Sequence, residues 1–244
     1  RVIQALFVML ALAIVAWFHT SIPRAAMACG DTPAAAKRLR DRFMAAAGVW
    51  IAVTMGLAYA GVIGRRDVFP PPLMGILVAV AFLGVAVARS SAGDRLARGL
   101  PLAALVGLQS FRFPLEVVMH AAAERGIMPV QMSYSGRNFD IVTGITAVLL
   151  AAWLRFGRPP RAIVWAWNVM GLLLLANIVT VAVLSTPMFA RFGATPDRLN
   201  TFAAEPPYIL LPTVLVLTAW AGHLIVFRAL SLPRPSAPGL RSAP

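Results

Sequence analysis

Seven stretches of the chain are almost free of charge and dominated by apolar residues: about 2–18, 43–64, 69–88, 101–123, 139–156, 162–185 and 207–227. Each approaches the roughly 20 apolar residues that carry a helix across the hydrocarbon of a bilayer. None alternates with the period of two that marks a half-buried strand. The pattern predicts an all-α fold: a polytopic membrane helix bundle of seven transmembrane helices over residues 1–230, followed by a disordered tail at 231–244 rich in Pro, Ser and Arg. The first run is short, and a signal peptide is the rival reading. It has no basic lead-in and outlasts a typical signal core, so a true first span is expected.

Charge lies between the runs, and it is uneven. Of the 22 Lys and Arg residues, fourteen fall on the side that holds Lys37, Arg38, Arg95, Arg158 and the tail. Seven fall on the side that holds Arg1, Arg65, Arg137 and Arg198, and Arg112 lies inside a span. The positive-inside rule then puts the amino terminus outside and the carboxyl terminus in the cytoplasm.

Composition agrees with a membrane protein. Of 244 residues, 59% are hydrophobic and 13% charged, far from the proportions of a soluble domain. The net charge of +13 is interleaved with apolar runs, so anionic lipid on the cytoplasmic face is the expected partner, not nucleic acid. One cysteine, Cys29, excludes a disulfide framework and a Cys-rich metal centre. No catalytic signature is present, and the sequence leans away from an enzyme.

The fourth run carries the most informative polar residues. Gln109, Arg112, Glu116 and His120 project onto one helix face. An Arg near the bilayer centre costs about 2.5–3.5 kcal/mol on insertion scales, so it needs a partner. Glu116, one turn away, is the expected one. Pro114 cannot donate to the carbonyl of Ser110, which predicts a kink. The connection that follows holds Arg137, Asn138 and Asp140, with Asn138 or Asp140 able to cap the fifth span. These three residues stand at the end toward which the Arg112–His120 stripe rises.

In the sixth run Trp165 and Trp167 suit an interfacial aromatic belt. Asn168 and Asn177 sit on opposite faces. Each is expected to bond a neighbouring helix, and Asn177, deeper toward the outer half, is the better candidate to reach a cavity. In the second run Gly48, Ala52, Gly56, Ala60 and Gly64 form a ridge of small residues, expected to pack within the bundle or against a second chain. His19 and His223 are weak candidates for axial haem ligation; the cofactor is otherwise open.

Several segments of the chain show a resemblance. Phe111-Arg112-x-x-x-Glu116, Gly136-Arg137-Asn138-Phe139-Asp140 and Gly144-Ile145-Thr146-Ala147 lead it. Trp167-Asn168, Asn177-Ile178-Val179, Ser185-x-Pro187 and Pro212 continue it. Together they resemble an uncharacterised family of bacterial multi-spanning membrane proteins, over about residues 70–228. The resemblance implies a helical bundle in a bacterial cytoplasmic (inner) membrane and marks positions, without an activity. The expected function is binding or transport of a small polar or anionic ligand through an outward-facing polar cavity. Arg112, Glu116, His120, Arg137, Asn138, Asp140 and Asn177 are its expected site. An accessory subunit of a membrane complex, and a haem-binding or other redox protein, are the alternatives.

Overall fold

A computed structural model describes residues 1–232. The expected tail lies outside the described residues from position 233 onward. The described chain is helical, and no strand occurs among those residues. Its helices are α1 (Val2–Ala28), α2 (Pro33–Tyr59), α3 (Pro72–Arg89), α4 (Ser91–Gly99), α5 (Leu102–Leu108), α6 (Arg112–Glu124), α7 (Ile141–Phe156), α8 (Arg161–Leu184) and α9 (Leu217–Ser231). Six helical segments are long and apolar enough to cross a membrane. Two of the six are composite. Residues Leu102–Glu124 join α5 and α6 through a 3-10 turn at Gln109–Phe111. Residues Leu211–Ser231 open with a π-helical turn at Leu211–Val216 before α9. Helix α7 is apolar but has only 16 residues.

Local chemistry explains the boundaries. The Thr32 hydroxyl accepts from the Ala35 amide, and Pro33 follows at the first helical position, where its missing N–H costs nothing. Helix α2 therefore starts ten residues before the apolar run and carries the basic segment Lys37–Arg42 as helix. Ser90 ends α3 and caps α4, accepting from the Gly93 amide at 3.1 Å. The break before Arg112 falls where Pro114 leaves the Ser110 carbonyl without its helical donor.

The connections gather at two ends. At the first end, Arg95 holds Asp31 with two hydrogen bonds of 2.8 Å, tying the α1–α2 turn to α4. Asp94 accepts from Arg98 at 2.9 Å and from Arg228 at 2.5 Å, tying α4 to α9. The Arg161 guanidinium donates to the Leu230 carbonyl there too. At the second end, Gln131 donates to Ser185 and to the Arg198 carbonyl, and Asn177 donates to the Arg137 carbonyl. Between the ends, α1 packs on α2, α4 and α6, α3 on α9, α5 and α6 on α7, and α8 on α9. The exterior is apolar: Leu12, Phe82, Leu149 and Leu173 are all exposed. On a soluble protein so much exposed apolar surface would drive association.

Two expectations are corrected. The small-residue ridge does not pack inside the bundle. Gly48, Ala52, Gly56 and Ala60 are exposed, and a side chain added at Gly48 or Gly56 would meet nothing within 4 Å. Helix α2 uses its other side, where Thr54 and Ala58 are buried. Trp167 is not in an aromatic belt. It is buried, with its indole N–H donating to Thr146 Oγ1 at 3.0 Å, while Trp165 is exposed.

The ion cluster at the first end yields a stability prediction. The hydrogen bond from Arg98, then the charges of Arg228, Arg98 and Arg95, hold the Asp94 carboxyl below its ordinary range against partial burial. A lowered folded-state value contributes stability that is complete above the unfolded carboxylate range, near pH 4, and disappears as pH falls through the lower one. Asp94→Asn is expected to cost roughly 1 kcal/mol, the scale of a solvent-screened network. Thermal unfolding in detergent should show that loss at pH 7, and the gap between wild type and variant should close toward pH 3.

Candidate functional site

Arg112 begins α6 at the break in its helix and is 1% exposed. A guanidinium can only donate, and it needs acceptors all round when buried. Asp140, at the foot of α7, supplies both carboxylate oxygens: Oδ2 accepts from Nε at 2.6 Å and Oδ1 from Nη2. This is the two-pronged geometry that suits Arg above Lys. The Gly171 carbonyl on α8 accepts from Nη2 at 3.3 Å. Nη1 lies 2.8 Å from Nε2 of His223 on α9. One side chain thus joins α6, α7, α8 and α9.

The histidine tautomer follows from these bonds. Because Arg112 has no lone pair to offer, His223 Nε2 must accept, and the ring proton sits on Nδ1. Nδ1 then donates to Asn168 Oδ1 at 2.8 Å, and Asn168 Nδ2 donates back to the His223 carbonyl at 3.1 Å. Asn168 meets the expectation of an interhelical bond. With both nitrogens of His223 committed and His19 exposed on α1, the pair does not suit axial haem ligation.

Two glycines permit the approach. A Cβ at Gly144 would lie 2.2 Å from the Phe113 amide nitrogen, so only glycine lets α7 touch the α6 backbone there. A Cβ at Gly171 would strike the His223 ring at 2.6 Å. These contacts bring Asp140 and His223 within reach of Arg112.

The expected Arg112–Glu116 ion pair is not formed; Asp140 takes that place. Glu116 is 1% exposed and belongs to the same network through Asn138, whose Nδ2 donates to Glu116 Oε2 at 2.7 Å and to the Met132 carbonyl at 3.1 Å. Asn138 Oδ1 accepts from the Asp140 amide at 3.0 Å, so Asn138 makes the turn into α7. Asp140 forms no side-chain cap, because its carboxylate is engaged by Arg112, with Thr143 Oγ1 at 3.4 Å.

A cavity of about 60 Å³ adjoins this cluster. Arg112, Glu116, Asp140 and Asn200 are its polar lining, and Leu115, Leu175, Leu211 and Leu215 are among its apolar walls. Toward the second end, a vestibule of about 420 Å³ is walled by the connection after α2 and the connection after α8. Leu73 and Asn200 line both spaces. Asn200 is 3% exposed; its Nδ2 donates to the Ala182 carbonyl, and its Oδ1 has no partner among the described residues. The same holds for Gln131 Oε1 and Gln109 Oε1, each paired with an NH2 that already serves a backbone carbonyl. Those carbonyls fix which amide atom is oxygen.

The remaining expected site residues stand outside the cavity. His120 stacks on Tyr134 at 4.3 Å and lies 3.2 Å from Ser135. Arg137 covers the Phe192 ring at 5.1 Å. Asn177 braces the loop through the Arg137 carbonyl and does not line the cavity. Sequence reasoning missed Asn200, Gln131 and the joining of Asn168 and His223 to Arg112. Asn200 and Gln131 sit in connections, where no helical period marks a face.

One protein family, a domain of unknown function (DUF8737), matches residues 70–231. The chain belongs to this family. No curated protein and no solved structure matches it. The DUF8737 region runs from α3 to α9 and contains every residue of the Arg112 cluster and the inner cavity, while α1 and α2 precede it.

The pairing makes a mutational prediction. Asp140→Asn removes the carboxylate paired to a buried guanidinium and should cost about 3–5 kcal/mol. Glu116→Gln keeps an acceptor for Asn138 and should cost under half of that. The double variant Arg112→Met with Asp140→Leu should recover most of the Asp140→Asn loss. Unfolding midpoints of the four proteins in one detergent provide the check.

Proposed function

We propose that this DUF8737 protein is a seven-span protein of a bacterial cytoplasmic membrane that binds, or carries across, a small donor-bearing ligand at Glu116. The carrying observation is the unequal satisfaction of the buried polar groups. Arg112 meets a carboxylate, an imidazole and a carbonyl, so its charge is not on offer to an anion. The acceptors that face the cavity and lack full partnership are Glu116 and Asn200 Oδ1. With both carboxylates ionised and His223 neutral, the cluster sums to −1. Such a site in hydrocarbon calls for one more positive charge, a proton or a ligand cation. The cavity has room for only a few water-sized groups, which favours an ammonium-scale head. The vestibule supplies a mouth at the second end, which the Arg and Lys distribution assigns to the outside.

Seven crossings require α7 to span. Its 16 residues rise about 24 Å, short of a hydrocarbon layer of about 30 Å. Its short length fits local thinning of the bilayer, and the exposed Arg155 at one end fits snorkelling. In a Cys29→Ser background, single cysteines at Arg137 and Arg158 should label from opposite faces, with position 137 outside. Labelling from one face would sink the seven-span reading.

Ligand class is checked by thermal shift on the purified full chain. Methylammonium at ten times its Kd should stabilise the wild type by about 1.4 kcal/mol. It should leave Glu116→Gln unmoved, and acetate should stabilise neither. Stabilisation by acetate that disappears in an Arg112 variant would restore the anionic reading and overturn this one. A second reading, an accessory subunit, is favoured by the open ridge at Gly48 and Gly56. A stable partner retained in mild detergent, and lost on Gly56→Leu, would support it.

A further inference from the structure

We infer that the groove between α2 and the α3–α9 pair is a binding site for one anionic phospholipid of the leaflet at the first end. The groove encloses about 890 Å³, and its walls come from α1, α2, α3, α9 and the π-helical turn. On α2 it extends from Leu39 to Val53, about 21 Å at 1.5 Å per residue. One leaflet contributes about 15 Å of hydrocarbon, so this length takes an acyl chain and its headgroup level.

Its polarity is graded in the same sense. Arg42, Ser90 and Ser91 lie at one extremity, and Phe18, Val49, Leu83 and Leu217 line the apolar stretch. At the far extremity the Trp50 indole N–H donates to the Thr213 carbonyl at 2.9 Å, which satisfies a donor that would otherwise face hydrocarbon. Charge selects the headgroup. Asp41 is taken by Arg40 at 2.7 Å, whereas Arg42 has no acidic partner among the described residues. Lys37 and Arg38 stand one turn away, at the end where the basic residues collect. A phosphodiester with net negative charge is the complementary group. Helix α2 packs chiefly on α1 and touches α4 and the π-helical turn only sparsely, which leaves the groove open between them.

The test is native mass spectrometry of the full chain in mild detergent, titrated with phosphatidylglycerol or phosphatidylcholine. The wild type should hold one phosphatidylglycerol in preference. Arg42→Gln should weaken it about fivefold, the worth of one surface cation beside anionic lipid. Phosphatidylcholine binding should not change, and Arg42→Lys should restore the preference. Ala47→Trp, which fills the apolar stretch, should remove both lipids, and Arg66→Gln at the opposite end should affect neither. Unchanged phosphatidylglycerol affinity in Arg42→Gln, a lipid retained by Ala47→Trp, or a protein chain crosslinked to a cysteine at Val49 in place of lipid would each overturn the assignment.

Discussion

Burying a guanidinium among apolar helices is the constraint on which the packing of α6, α7, α8 and α9 depends. The charge must be met by a carboxylate, and the remaining N–H groups must each find an acceptor. Arg112 places four of its five N–H groups on partners from three other helices, Asp140, Gly171 and His223. None of these partners is within four residues of it. The solution therefore fixes the relative rotation of α6, α7, α8 and α9, and a slip of one residue in any of them would leave a charge or a donor unmet. The glycines at 144 and 171 are part of the same solution, because a methyl group at either would push the partners out of reach.

A site built this way separates two kinds of polar group. Those that meet Arg112 are structural in the strict sense: their bonding capacity is consumed. His223 illustrates the point, since Arg112 and Asn168 between them dictate its tautomer and occupy both nitrogens. The others, Glu116 and Asn200, face a cavity with capacity left over. Buried amides normally find partners for both atoms. Here Asn200, Gln131 and Gln109 each give their NH2 to a backbone carbonyl and keep an unpaired oxygen. Acceptor capacity without matching donors is the chemical character of this interior.

Much of the scaffold was legible in the sequence, because apolar run length is a strong and local signal. The runs at 101–123 and 207–227 correspond to the two composite helices, and Pro114 marked the break before Arg112. Arg112, Glu116, Asn138 and Asp140 could all be picked out, since intramembrane charge is rare enough to stand out alone. Their pairing was not legible. The period of 3.6 offered Glu116 as the neighbour, whereas Asp140 is 28 residues away and arrives only through the turn that Asn138 makes. The ridge on α2 failed for a related reason: small residues at every fourth position permit close packing, and they do not say on which side the bundle lies. Asn200 and Gln131 carried no signal at all, because connections have no period to place them.

The two ends of the bundle differ in a way that matches this division. At the first end, salt bridges among Asp31, Asp94, Arg95, Arg98 and Arg228 bind the α1–α2 turn, α4 and α9 together. At the second end the connections are longer and held by single amide bonds such as Gln131 to Ser185 and Asn177 to the Arg137 carbonyl. The first-end ion pairs are partly exposed and screened by solvent, worth about 1 kcal/mol or less each, which is the scale of a neutral hydrogen bond at the second end. The vestibule lies at the second end, and the Arg112 cluster adjoins the inner cavity; Leu73 and Asn200 are the lining common to both spaces. Helices α1 and α2 contribute to neither the cluster nor the inner cavity. Their side of the molecule instead carries the basic helix end and one wall of the apolar groove, and α9 joins the two regions, because Leu217 and Ala221 line the groove while His223 reaches Arg112.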